Sequence, residues 1–257
     1  MSMDTTKTPS RYEIAGGTVA GRSHALAGKP NQDAYAWEAR GDLLAAVVCD
    51  GCGSSPHSEI GARIGARIAV ASLLARLEEG AAPGDAALWD GLGRDLLGSL
   101  RDLTAAMGGR PAETARDHFL FTVIGVALSG DRGAVFAAGD GVVAVDGEVT
   151  RLGPFPGNEP PYLAYGLLSS AAPGLCPVRI FSGARTVLLG TDGAGDLADL
   201  RVFWEDDRWF QNQDALRRRL AQQSRDVTRP LWDERRIVRE PGRLDDDTTL
   251  VVVRRRG

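Results

Sequence analysis

The chain has 257 residues, a formal net charge of −4 and 43% hydrophobic residues. That is enough apolar material for one sizeable core, and the charge is too mild to call for a polyanion, so no nucleic-acid partner is expected. No apolar run is long enough to cross a bilayer and the N-terminus lacks a basic-then-apolar signal pattern, so no membrane partner is expected either. Three cysteines, Cys49, Cys52 and Cys176, are too few for a disulfide framework and fit a reducing, cytoplasmic setting.

In chain order, residues 1–10 read as a polar, disordered tail. Tyr12–Ala20 follows as an edge strand, and Gly21–Pro30 as a loop. Asp33–Ala39 and Leu43–Cys49 form a hairpin turning at Arg40-Gly41-Asp42. Ser55-Pro56 opens a helix running to about Leu77. Ile60, Ile64 and Ile68 give it an apolar stripe, beside a small-residue ridge of Gly61, Gly65 and Ala69 that lets it lie close to a sheet. A second helix, Asp85–Met107, carries Leu88, Leu92, Leu96, Leu100 and Leu103 on one side and stops at Gly108-Gly109. Strands are then expected at His118–Leu128, Gly133–Ala138, Val142–Val145, Leu163–Leu168 and Thr186–Leu189, with a tight hairpin at Asp146-Gly147. Asp214–Ser224 reads as a helix, Thr228–Gly242 as a loop, and Thr248–Arg254 as the last strand. No repeat or linker divides residues 11–257, which read as a single domain. Short turns between strands, and two long helices in succession, argue for antiparallel sheets with helices on their outer faces, an α+β layer architecture.

Four apolar runs stop or start at aspartate. Leu43–Cys49 meets Asp50-Gly51, Ala134–Ala138 meets Asp140, Val187–Leu189 meets Asp192-Gly193, and Asp245-Asp246-Asp247 precedes Thr248. Carboxylates at the mouths of buried strands repel one another unless a cation sits between them. Oxygen donors suit hard divalent cations such as magnesium or manganese, and glycine after aspartate lets the main chain approach an ion. The Cys49–Cys52 spacing, by contrast, lacks the second ligand pair that a zinc site needs, and both cysteines read as structural.

Five motifs stand in order: Asn31-Gln32-Asp33-Ala34, Val48-Cys49-Asp50-Gly51-Cys52-Gly53, Ala138-Gly139-Asp140-Gly141, Gly190-Thr191-Asp192-Gly193 and Asp246-Asp247-Thr248-Thr249. This set resembles the metal-dependent protein serine/threonine phosphatases of type 2C, in their bacterial branch, from about Tyr12 to Arg254. The resemblance implies a four-layer α-β-β-α sandwich, two central antiparallel sheets flanked by helices. It also implies a signalling hydrolase in which two Mn2+ or Mg2+ ions activate a water that attacks phosphoserine or phosphothreonine directly. By that resemblance Asp50 bridges both ions, Gly51 offers its carbonyl, and Asp192 and Asp246 complete the first ion. Asp33 lies near the second ion, and Asp140 matches the residue that helps hold a third ion in some members. The implied partner is a phosphoprotein opposing a serine/threonine kinase.

The chain also departs from the family pattern. Gln32 stands where an acidic residue is common, and Cys52 where many eukaryotic members have a histidine. Gly28 occupies the expected place of the phosphate-binding arginine, leaving Arg22, His24 and Lys29 as candidates for holding the substrate phosphate. Two other readings use the same residues: a phosphatase-like regulatory module with little turnover, or a hydrolase of a small phosphoester.

Overall fold

A computed structural model describes residues 10–169 and 173–256, so most of the expected N-terminal tail lies outside the described residues. The first half of the chain forms β1 (Tyr12–Val19), α1 (Arg22–Ala27), β2 (Ala34–Arg40), β3 (Leu43–Cys49), α2 (Ser58–Glu78), α3 (Ala86–Met107), α4 (Pro111–His118), β4 (Val123–Ser129) and β5 (Arg132–Ala138). It continues with β6 (Gly141–Val145), β7 (Glu148–Leu152), β8 (Cys176–Ser182) and β9 (Thr186–Gly190). After these come α5 (Val202–Glu205), α6 (Arg208–Gln211), α7 (Ala215–Ser224), β10 (Val227–Leu231), β11 (Arg236–Glu240) and β12 (Thr248–Arg255).

Two five-stranded sheets, ordered β1-β12-β9-β6-β7 and β2-β3-β4-β5-β8, stack face to face, and every registered strand pairing is antiparallel. Side-chain alternation explains why the inner strands, such as β3, β4 and β9, read as unbroken apolar runs: both faces are covered. On β3, Leu44, Ala46 and Val48 point between the sheets, while Ala45, Val47 and Cys49 point to the helices. On β12, Val251 and Val253 face inward; Leu250 and Val252 face the second helical layer with Phe203, Trp209, Leu216 and Leu220. The four-layer sandwich expected from the sequence is therefore present, its layers made by period-two alternation on both sheets.

Several local expectations need correction. The segment Gly21–Pro30 is not all loop: Arg22–Ala27 is a short helix closed by Gly28 in the left-handed region. Helix α2 begins at Ser58, and its core face is the small-residue side, Ala62, Ala66, Ala69, Leu73 and Leu77, whereas Ile60 is 39% exposed. The ridge serves close approach, as expected, but to the chain entering β4: side chains at Gly61 and Gly65 would strike the His118 carbonyl and the Phe121 ring. His118 is the last residue of the helix α4 rather than the first of a strand, and the strand expected from His118 begins at Val123. Leu163–Leu167 is a 3-10 turn that buries Leu163 and Ala164 against the helical layer instead of pairing with a strand. The expected loop after Thr228 contains the exposed hairpin β10-β11, and β8 is an exposed edge strand without the apolar run that would announce it.

The sheets place the aspartates at one end of the sandwich. Asp50 follows β3, Asp140 sits where the chain crosses from β5 in one sheet to β6 in the other, Asp192 follows β9, and Asp246 precedes β12.

Candidate active site

Asp50, Gly51, Asp140, Asp192 and Asp246 line one cavity of about 370 Å3, together with His24, Cys52, Gly53, Ser54, Glu159, Pro160 and Tyr162. Asp50 and Asp192 are set by backbone contacts. Asp50 is held by the segment entering β4, its N–H donating to Thr122 Oγ1 at 3.1 Å and its carbonyl accepting from Thr122 N at 2.8 Å. Gly51 N donates to Gln32 O at 3.2 Å, and a Cβ there would come within 2.8 Å of Gln32 O and Ser58 Oγ, so only glycine lets the chain pass. Thr191 N donates to Thr249 O at 3.1 Å, which sets the turn that begins at Asp192 beside the start of β12.

The electrostatics are those of a cation site. Burial, with Asp33, Asp192, Asp246 and Asp140 as neighbouring charges, pushes the Asp50 acid well above the usual carboxylate range. Asp192 opens onto the cavity, yet partial burial of its carboxyl and the charges of Asp246 and Asp140 raise it to about 6. Asp140 is raised by burial. Asp33 stands behind the lining and is fully buried; burial drives it well up, against a 2.7 Å hydrogen bond from Thr191 Oγ1, and Asp247 and Asp192 add to the rise. Buried oxygens without partners remain on Asp33 (Oδ1), Asp140 (Oδ1) and Gln32 (Oε1). Among the described residues no lysine or arginine lines the cavity to neutralise this set. Carboxylates gathered on one cavity without a lysine or arginine, with buried oxygens left unpartnered on Asp140 and behind it on Asp33, are the donor chemistry of a hard divalent ion, so the residues present fit the metal expected from the sequence.

The other predicted residues separate. Of the three phosphate candidates only His24 reaches the cavity. Arg22 is held at 3.0 Å from Asp245 and 3.4 Å from Asp226, and Lys29 donates to the Gly53 carbonyl at 3.0 Å. Gln32 is turned away from solvent: its Nε2 donates to Ser58 Oγ at 2.7 Å and Ser55 O at 3.1 Å, tying the Cys52–Ser58 loop to the floor of the site. Cys49 and Cys52 face different ways, one into the helix-side core and one onto the cavity, so they form no pair. Burial pushes the Cys52 thiol up, but hydrogen bonds from Ser54 and Tyr162 outweigh it and leave the thiol below its ordinary value.

Sequence reasoning missed Tyr162 and Asp247. Tyr162 belongs to a segment with no periodic signal, and its ring is buried at the rim, where burial and Cys52 push its hydroxyl up. Asp247 is the third aspartate of a run, and its carboxylate, like that of Asp246, comes to the His24 ring, but from the buried side. It is 2% exposed and accepts from Gly21 N at 2.7 Å and Gln32 N at 2.6 Å. A larger hollow of about 790 Å3, lined by Glu13, Arg185, Trp204, Arg254, Arg255 and neighbours, contains none of the predicted residues.

This sandwich is shared with solved phosphatase structures across nearly their whole length. The serine/threonine phosphatase Stp1 from Staphylococcus aureus is 13% identical, with 100% of both chains covered and a TM-score of 0.57. A serine-threonine phosphatase 2C from Toxoplasma gondii is 15% identical over 98% of this chain and 96% of that one, with a TM-score of 0.60. The catalytic domain of the serine threonine protein phosphatase PstP, solved in complex with 2 manganese ions, is 18% identical over 95% and 97%, with a TM-score of 0.53. No curated protein matches the chain. The fold is thus the one these phosphatases adopt. The protein phosphatase 2C profile matches residues 20–231, and the chain belongs to that family, which places it in the class of protein serine/threonine phosphatases.

Proposed function

We propose that the chain hydrolyses phosphoserine and phosphothreonine in proteins at a centre of two Mn2+ or Mg2+ ions. The observation that carries this reading is the convergence of Asp50, Asp140, Asp192 and Asp246, from strand ends of both sheets, on one cavity that no lysine or arginine lines among the described residues. Asp50, the Gly51 carbonyl, Asp192 and Asp246 would hold the two ions, Asp33 would act from behind, and Asp140 would serve a third. When bound, the ions supply a water acidified toward neutral pH and positive charge at the transferring phosphoryl oxygens.

The chain's own groups do the rest. The carboxylates whose acids are raised must release protons before they can ligate, so metal uptake and proton loss are coupled at this site. The Cys52–Ser54 loop and Tyr162 form part of the cavity wall beside the aspartates. With Cys52 where a histidine is common, protonation of the departing serine oxygen falls to solvent. Arg22 and Lys29 are already engaged, so the substrate phosphate would be held by the metal centre itself. The partners this implies are phosphoproteins made by an opposing serine/threonine kinase, in the cytoplasm; no described helix is long and apolar enough to cross a membrane.

The test is hydrolysis of an aryl phosphate and of a phosphopeptide panel across divalent cations. Turnover is expected with Mn2+ or Mg2+, removed by chelation and by Asp50→Asn. Turnover that survives chelation would overturn the metal reading, and a strong preference for sugar or nucleotide phosphates would overturn the protein-substrate reading.

A further inference from the structure

Among the described residues, His24 is the one nitrogen donor of the side chains lining the cavity, and its surroundings fix how it is presented. Helix α1 is fastened to the segment before β12 by main-chain bonds. Arg22 N donates to Leu244 O at 3.0 Å and Ser23 N to Asp245 O at 2.9 Å, while Gly21 N reaches the Asp247 carboxylate. Gly21 has no room for a side chain, because a Cβ would run into the backbone of Asp246. The imidazole is thereby set against the aspartate pair. Its Nδ1 lies 2.7 Å from Asp247 Oδ2, and its Nε2 lies 4.0 Å from Asp246 Oδ1.

The Nδ1 contact is close without being in line for a full hydrogen bond. Even so, a ring lone pair cannot sit at that distance from a carboxylate oxygen, so the proton of the neutral imidazole is on Nδ1. Both Asp247 oxygens already accept main-chain N–H groups, which marks this carboxylate as an acceptor. Nε2 then carries the lone pair and faces Asp246. Such a tautomer is a poor donor to a phosphate and a good donor to a metal: a buried carboxylate behind a histidine, with the far ring nitrogen free, is the outer support that orients metal-binding imidazoles. The spacing agrees. Two donors can share an ion if they stand no more than about 4.2 Å apart, twice a bond of about 2.1 Å.

We infer that His24 Nε2 is a ligand of the ion held by Asp246, with Asp247 as its positioning residue, so that this centre is a mixed nitrogen–oxygen site selective for Mn2+ over Mg2+. The inference rests on the metal-dependent reading above. Imidazole favours first-row transition ions, whereas an all-oxygen site suits Mg2+ equally well.

The experiment uses Mn2+ alone with the full chain: titration calorimetry for affinity and pulsed electron paramagnetic resonance for directly bound nitrogen. Wild type is expected to show 14N coupling to Mn2+, and His24→Ala to lose it. The same variant should raise the Mn2+ Kd about 10-fold or more, with a smaller rise for Mg2+. Asp247→Asn should also lose the coupling, because a carboxamide can present its N–H groups to Nδ1 and move the ring proton to Nε2; circular dichroism confirms that each variant is folded. Bound Mn2+ with no 14N coupling in wild type, or coupling that survives His24→Ala, would overturn this inference alone. A wild-type chain that binds no Mn2+ would overturn it together with the metal-dependent reading.

Discussion

The two ends of the β1-β12-β9-β6-β7 sheet handle charge in opposite ways. At the end remote from the cavity, Arg254 reaches Glu13 at 2.7 Å and Asp207 at 2.6 Å, Arg255 pairs with Asp131, and Asp146 accepts from the N–H groups of Arg185 and Thr186. At the cavity end, Asp50, Asp140, Asp192 and Asp246 line one cavity, and Arg22, which precedes His24 by two residues, is engaged with Asp245 and Asp226 instead. The first arrangement closes the fold with paired charges. The second leaves like charges facing one another, a state that costs stability unless a cation joins them. Local repulsion kept in place by a rigid sheet is what separates a site from a surface here.

The comparison can be broken most sharply at Asp50. Asp50→Asn should lower phosphatase turnover by more than about 100-fold, since removing a ligand exceeds the loss of an outer-shell partner. The same variant should melt higher than wild type in EDTA, because one of the repelling charges is gone. Equal melting temperatures there would contradict the electrostatic picture. Next in size is the metal itself: at about 100 times its Kd, Mn2+ should stabilise the fold by about 2.7 kcal/mol, read as a concentration-dependent shift in denaturant or thermal midpoint.

Acidity gives a third handle. The Asp192 acid stands at about 6 in the fold against an ordinary 3.8. Between those values the folded chain holds a proton that the unfolded chain has lost. The stability this contributes is complete below the lower value and declines as pH rises through about 6. Melts in EDTA from pH 4.5 to 8 should show that decline. With Mn2+ present the trend should reverse, because the ion competes with protons for the same oxygens. At the far end, Glu13→Ala should cost only about 1 kcal/mol, with no change in turnover, since its partners are partly exposed. The smallest effect is expected from Arg22→Ala and Lys29→Ala, which should leave kcat nearly unchanged because neither side chain lines the cavity. A large rise in KM for either would place a phosphate clamp where none is built.

Much of this was legible before the fold. Strands covered on both faces, such as Leu43–Cys49 and the Leu250–Val253 stretch of the last strand, carry apolar residues at every step and announce themselves. Leucines spaced along Ala86–Met107 do the same for a helix. Elements that bury little escaped: β8 and the β10-β11 hairpin are exposed, and α1 is a six-residue helix with no buried side chain. The stripe of Ile60, Ile64 and Ile68 misled because bulk was mistaken for burial. On α2 the buried side is the side where small residues admit a neighbouring backbone, and the isoleucines are left at its margin.

The sequence by itself determined the donor set: aspartates next to strand runs, glycines beside them, and the order that marks the family. Those are local features, written in a few adjacent residues each, and turn chemistry and side-chain alternation suffice to read them. Only the tertiary structure decided which candidates meet. It drew His24 to the aspartates and pinned Arg22 and Lys29 elsewhere, placed Asp33 behind the floor rather than in it, and gave Asp247 a partner far away in the chain. The reason is geometric: a side chain's neighbours across two stacked sheets are set by strand register and packing distance, and neither is encoded within reach of the residue itself.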